Sequence, residues 1–151
     1  MDIEYMRLAL REAERAAKLK EIPVGAVIVK DGQVIAKAHN RKEIRGCANY
    51  HAEIVAIDKA CAKLGDWRLT GCDIYVTLEP CPMCAGALIN ARIDNIYFGA
   101  YDAKAGCCGS LYNLPKDPRF NHRAGVVGGI MEEECVRALR NFFKQQRSGR
   151  C

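Results

Sequence analysis

The segment Asp73-Ile74-Tyr75-Val76-Thr77-Leu78-Glu79-Pro80-Cys81-Pro82-Met83-Cys84 changes its structural habit halfway along. Asp73 to Leu78 is rich in β-branched and aromatic residues, which suit a pleated, half-buried surface, and it predicts a strand. Glu79-Pro80 breaks that strand. Pro82 then fits the first turn of a helix, where its missing N–H would be unpaired in any case, and the helix runs from Met83 to Ala91. A strand that passes directly into a helix is the building block of an α/β sheet.

The same alternation extends in both directions. Asp2 is placed to cap a helix whose apolar positions Ile3, Met6, Leu10, Ala13 and Ala17 recur at helical spacing, and Pro23 closes that region. Val24 to Val29 reads as a buried strand, and Asp31-Gly32 is a two-residue hairpin signal before a second strand, Gln33 to Ala38. Asn40 to Tyr50 has no periodicity and reads as a loop. His51 opens a helix with Ile54, Ala56, Ile57, Ala60, Cys61 and Leu64 turned inward, stopped at Gly65. Beyond the central segment, Asn95 to Phe98 is a fourth strand, Gly99 to His122 a long loop, Ala124 to Gly128 a fifth strand, and Glu132 to Gln146 a final helix. No repeat or linker interrupts this order. The expected fold is an α/β protein, a three-layer α/β/α sandwich around a central mixed five-stranded sheet, with residues 1–151 in one domain.

Two points of this scaffold carry chemistry. His51-Ala52-Glu53 and Cys81-Pro82-Met83-Cys84 together offer one imidazole and two thiolates. Three protein ligands leave a tetrahedral zinc ion one open position, as in catalytic sites, whereas a structural zinc closes its shell with a fourth side chain. Cys81 and Cys84 are three apart at a helix start, so they share a face. Each half of the set opens a helix, whose positive end favours thiolates. Residues two apart on a helix diverge, so Glu53 is a poor second ligand beside His51 but is well placed to flank the ion and move protons. Taken alone, a Cys-x-x-Cys pair is as easily redox or structural, and a lone His-x-Glu carries little meaning. Their combination across a helix and a strand gives the signal its specificity.

The bulk properties set bounds. Half of the 151 residues are apolar and 27% are charged, the balance of an ordinary soluble protein. The charged first helix offers no signal peptide or membrane span. Nine cysteines, an odd number, argue against a disulfide scaffold and for a reducing cytoplasm. Cys61, Cys72 and Cys135 sit among apolar neighbours and read as small buried hydrophobes, while Cys107, Cys108 and Cys151 have no evident role. A net charge of +5 permits an anionic partner without requiring one. The last helix carries Arg137, Arg140, Lys144, Arg147 and Arg150 around Phe142-Phe143, which suits either a phosphate-contacting face or a solvated helix packed through its phenylalanines. His122 reads as a hydrogen-bonding loop residue, and Trp67 as an aromatic capping a core edge.

The His-x-Glu then Pro-Cys-x-x-Cys order is that of the zinc nucleobase deaminases. From Ile22 to Arg147 the sequence resembles the bacterial tRNA adenosine deaminases, which convert wobble adenosine to inosine. The likeness rests on Ile22-Pro23-Val24-Gly25-Ala26-Val27, His39-Asn40-Arg41, His51-Ala52-Glu53, Tyr75 to Ala87, Phe98-Gly99-Ala100, Asp102-Ala103-Lys104-Ala105-Gly106, Gly109-Ser110-Leu111 and Asn121-His122-Arg123. It implies a cytidine deaminase-like fold and one zinc ion per subunit on His51, Cys81 and Cys84, with no organic cofactor. It implies proton transfer by Glu53 and substrate contacts from Asn40, Val24, Gly25 and Ala52. It also implies a cytoplasmic homodimer, free of the membrane, that takes a tRNA anticodon stem-loop with the target base splayed out, the mode in which RNA sequence is best read. Two departures stand out. Cys47-Ala48-Asn49-Tyr50 replaces an Asp-(Pro/Ala)-Thr-Ala-like stretch, placing a bulky Tyr50 beside the first ligand, and Cys107-Cys108 replaces a pair of alanines. Two other readings remain open: a deaminase of a free nucleobase or nucleotide, of guanine or cytosine type, favoured by the unusual loop from Cys47 to Tyr50; and a zinc-stabilised RNA-binding module without catalysis, which leaves Glu53 unused.

Overall fold

In the computed structural model the described residues are 1–149; Arg150 and Cys151, named above, lie outside them. Asp2 caps α1 (Ile3–Lys18), its carboxylate accepting the Glu4 N–H at 2.9 Å. β1 (Gly25–Lys30) and β2 (Gln33–His39) form a hairpin in which Asp31 and Gly32 both take positive φ, 51° and 74°, as a two-residue turn matched to strand twist requires. α3 (Ala52–Leu64) ends at Gly65 in the left-handed region, as expected from its glycine. β3 (Cys72–Leu78) leads into α4 (Pro82–Asn90), then β4 (Asn95–Ala100), β5 (Gly125–Val127) and α5 (Glu132–Ser148).

The five strands lie in the order β2-β1-β3-β4-β5. β1 is antiparallel to both neighbours, while β3, β4 and β5 are parallel, so the sheet is mixed. Helices cover both faces. α3 and α4 pack on one side against Ala26, Ile28, Ile74, Val76, Ile96 and Phe98. α1 and α5 pack on the other against Val27, Val29, Tyr75 and Tyr97. The alternation of strand residues between these clusters is the two-residue period of a pleated strand. Burial on both faces explains why β1 and β3 read as nearly unbroken apolar runs. Tyr75 ties the layers together: it stacks on Tyr97 at 4.8 Å and its hydroxyl accepts the Asp2 N–H at 2.9 Å. No helix among the described residues is long and apolar enough to cross a membrane.

Three details differ from the sequence reading. The loop from Asn40 to Tyr50 contains a single helical turn, α2 (Lys42–Arg45), made possible by a distant carboxylate: Glu21, fully buried, accepts the N–H groups of Glu43 and Ile44 at 3.0 and 2.6 Å. The long loop after β4 contains a short 3-10 turn, Leu114–Lys116. The inward faces of two helices are also rotated from expectation. α1 buries Met6, Ala9, Glu12, Ala13 and Ala16 and leaves Ile3 exposed, and α3 buries Val55 more deeply than Ile54 or Ile57. In both helices alanines lie on the fully buried face, allowing close approach to the sheet, and in α1 Met6 is fully buried beside them.

Candidate active site

β2 runs in the same direction as β3 because both are antiparallel to β1, so the chain leaves both strands at one edge of the sheet. The carboxyl edge of such strands is where α/β folds gather ligands. His51 stands there as the N-cap of α3 and Cys81 as the N-cap of α4. Neither side chain makes a capping hydrogen bond, which leaves imidazole and thiol free to face one another. Cys84 comes from the first turn of α4 and is fully buried.

The Nδ1 atom of His51 lies 3.6 Å from Sγ of Cys81 and 3.5 Å from Sγ of Cys84. The three ligand atoms are all within 4.8 Å of one another, and Glu53 is outside the group. With zinc–sulfur bonds of about 2.3 Å and a zinc–nitrogen bond of about 2.0 Å at tetrahedral angles, the nitrogen–sulfur edge is roughly 3.5 Å. The observed spacings match that edge, so this donor set fits a tetrahedral cation with three protein ligands. The three donors differ in how firmly they hold their protons. Cys81 is drawn down to about 4, chiefly by the hydrogen bond from Cys84 and also by His51, against the opposing effect of burial. Cys84 is pushed up by Cys81, by burial and by the charge of Glu53. His51 is raised, mainly through its bond to Cys81.

Glu53, in the first turn of α3, is only 4% exposed. Burial lifts its carboxyl to about 7, with its own backbone N–H and His51 pulling the other way. A carboxyl poised near neutrality both takes and returns a proton readily.

Of the other sequence-predicted residues, Val24, Gly25 and Asn40 lie at the open end of the hairpin. Asn40 is buried; its Nδ2 donates to Ile22 O at 3.3 Å and its Oδ1 accepts the Lys42 N–H at 3.2 Å. Val24 accepts the Asn40 N–H at 3.0 Å, and the Gly25 N–H donates to Thr77 Oγ1 at 3.1 Å. Ala52 is fully buried at the start of α3. Tyr50 is half-buried under the Arg45 guanidinium, 4.7 Å from its ring. His122 hydrogen-bonds the Ile93 carbonyl at 2.7 Å and is not in the ligand group. Trp67 does not cap the core: it is 54% exposed, with Arg68 over its ring at 4.4 Å. Phe142 packs inward, whereas Phe143 is exposed and shares a groove with Tyr101, Arg140, Lys144 and Arg147. Cys72 and Cys135 are buried as expected, Cys61 only partly; Cys107 and Cys108 are also buried.

Sequence reasoning passed over two buried carboxylates near the site, Glu21 and Glu79. Glu79 accepts hydrogen bonds from the loop after β4. Its signal was present: an acid wedged between an apolar strand and a proline next to a ligand cysteine must be paired if it enters the core.

Residues 1–147 match the model of the MafB19-like deaminase family. The chain is 51% identical over 143 residues to the tRNA-specific adenosine deaminase of Bacillus subtilis (strain 168), covering 95% of this chain and 89% of that protein. A solved structure from work on A-to-I editing by tRNA:A34 deaminases at the wobble position of transfer RNA matches with a TM-score of 0.88 at 44% identity, covering 91% of this chain and 100% of that one. The guanine deaminase of Bacillus subtilis matches with a TM-score of 0.65 at 32% identity, covering 93% of this chain and 95% of that one.

Proposed function

We propose, because this chain belongs to the tRNA-specific adenosine deaminases of the MafB19-like deaminase family, that it hydrolyses the wobble adenosine of a tRNA anticodon to inosine and ammonia. One juxtaposition supports this above all others: a His51–Cys81–Cys84 group with the edge lengths of a three-ligand tetrahedron, and a buried Glu53 beside it.

His51, Cys81 and Cys84 would hold one zinc ion per subunit. Zinc bound there supplies positive charge and brings the pKa of water toward roughly 7. Glu53 takes a proton from the attacking water as oxygen bonds to C6 of the adenine, and passes it to the ring nitrogen. It then relays the second proton to the amino group, which departs as ammonia. Burial raises the affinity of this carboxyl for a proton, which favours its taking one from water. Asn40, Val24, Gly25 and Ala52 are assigned to the substrate pocket. Each Asn40 amide atom makes one internal bond, which leaves a second N–H and a second lone pair for a base edge.

The partners are a tRNA anticodon stem-loop and a second copy of this chain, with residues 1–151 folding as one domain in the cytoplasm and no organic cofactor. The basic side chains of α5 beside exposed Phe143 favour RNA, and exposed Phe120 offers apolar surface to a second subunit. Tyr50 beside His51 is the feature that favours a free base instead. Incubation with a stem-loop carrying a wobble adenosine, and in parallel with free guanine, cytidine and dCMP, separates the two. Inosine in the stem-loop alone is expected; reaction of the small molecules alone would overturn the tRNA assignment.

A further inference from the structure

Glu79 is not in the ligand group, yet its side chain is 2% exposed and receives an unusual set of bonds. The backbone N–H groups of Asp102, Cys108 and Ser110 donate to it at 3.0, 3.0 and 2.9 Å, and the Ser110 hydroxyl also donates. Gly106 crosses its face so closely that a β-carbon there would fall 2.3 Å from the carboxyl carbon. The next residue, Pro80, accepts the Cys107 N–H at 2.8 Å. Thus Glu79 and Pro80 grip the loop from Asp102 to Ser110, while Cys81 belongs to the ligand group.

Burying a carboxylate is costly unless its lone pairs are met. Here they are met by backbone groups of a segment with little regular structure, so the charge fixes the orientation of that backbone more firmly than apolar packing would. This loop and the residues that follow it carry exposed Lys104, Leu111 and Tyr112, a cation and apolar groups on a segment bonded through the Cys107 N–H to Pro80, the residue before Cys81. We propose that Glu79 is a positioning residue for the RNA: it sets the shape of the Asp102–Ser110 loop as one wall of the site, and acts on substrate seating through that loop rather than on the reacting atoms. This rests on the deaminase reading above.

The test compares the wild-type protein with Glu79→Gln, which keeps size but removes the charge and turns an amide N–H toward the donors. Three quantities are read: Kd for an anticodon stem-loop by fluorescence anisotropy, kcat for inosine formation, and zinc per chain. Loss of charge-assisted bonds is expected to weaken stem-loop binding by about tenfold. The expected kcat stays within about twofold, and zinc content is unchanged. Amide hydrogen exchange at Asp102, Cys108 and Ser110 should accelerate. Unchanged Kd, or a fall in kcat or zinc with Kd unaltered, would overturn the proposal. If Glu79→Gln does not fold, Ser110→Ala, which removes one side-chain donor, should weaken binding by about threefold; unaltered binding there would overturn it equally. A wild-type protein that forms no inosine would defeat the deaminase reading, while the Kd comparison would still decide the role of Glu79.

Discussion

A β-carbon on Gly25 would lie 1.9 Å from the carbonyl oxygen of Ala9 and 2.6 Å from the amide nitrogen of Ala13. The backbone of α1 therefore rests directly on β1, and the absent side chain is what lets it do so. Both obstructing atoms are main-chain, so neither can rotate away. Gly25→Ala is expected to lift α1 and destabilise the protein by on the order of 1–3 kcal/mol or more. Thermal denaturation checks this, and an unchanged melting temperature would show that the helix moves freely.

The ligand group makes its own prediction. Dialysis against a chelator should remove one zinc per chain and abolish turnover, and added zinc should restore it. Cys84→Ala should lose the metal permanently, because two remaining ligands do not make the site. Elemental analysis beside an inosine assay measures both. Metal retained by Cys84→Ala would exclude Cys84 from the set.

Acid stability follows from Glu79. Burial pushes its carboxyl upward, but the bonds from Ser110, Asp102 and Cys108 outweigh burial and leave it below the usual carboxylate range. A group depressed in the folded state stabilises the fold above its unfolded value, about 4.3, and that contribution is lost as pH falls through the folded value. The wild-type melting temperature should therefore fall more steeply than that of Glu79→Gln as pH drops below about 4.3. Parallel curves for the two proteins over that range would contradict the assignment.

Much of the scaffold was legible because its signals are local. Asp2 as a cap, Asp31-Gly32 as a turn, Gly65 as a stop and Pro82 at a helix start each depend on one or two residues, and each stands where expected. The ligand group was legible for the same reason: the Cys81–Cys84 spacing and the position of His51 at a helix start both appear in sequence. What escaped was held by long-range bonds. The turn α2 depends on Glu21, 22 and 23 residues away from the N–H groups that it caps. The loop after β4 depends on Glu79, 23 to 31 residues away. No periodicity encodes such pairings. Trp67 stays at the surface with Arg68 and Arg92 against its ring, a placement that aromatic content alone does not foretell.

The basic face of α5 is tested by charge. Arg140 and Lys144 are exposed and share a groove with Phe143. Arg140→Glu with Lys144→Glu should raise KM for the stem-loop by about tenfold at moderate salt, and flatten the salt dependence by roughly one phosphate contact per residue. Steady-state kinetics across a salt series measures this. An unchanged KM and salt dependence, or a rise in KM accompanied by a lowered melting temperature, would contradict a role in RNA contact.

The proposed mechanism turns on Glu53, which is buried and lies outside the His51–Cys81–Cys84 group. The most direct measurement is turnover of a wobble-adenosine stem-loop by Glu53→Ala, made alongside its zinc content. Full zinc occupancy with no inosine formed is the predicted result. Inosine at the wild-type rate, or zinc lost together with the carboxylate, would contradict it.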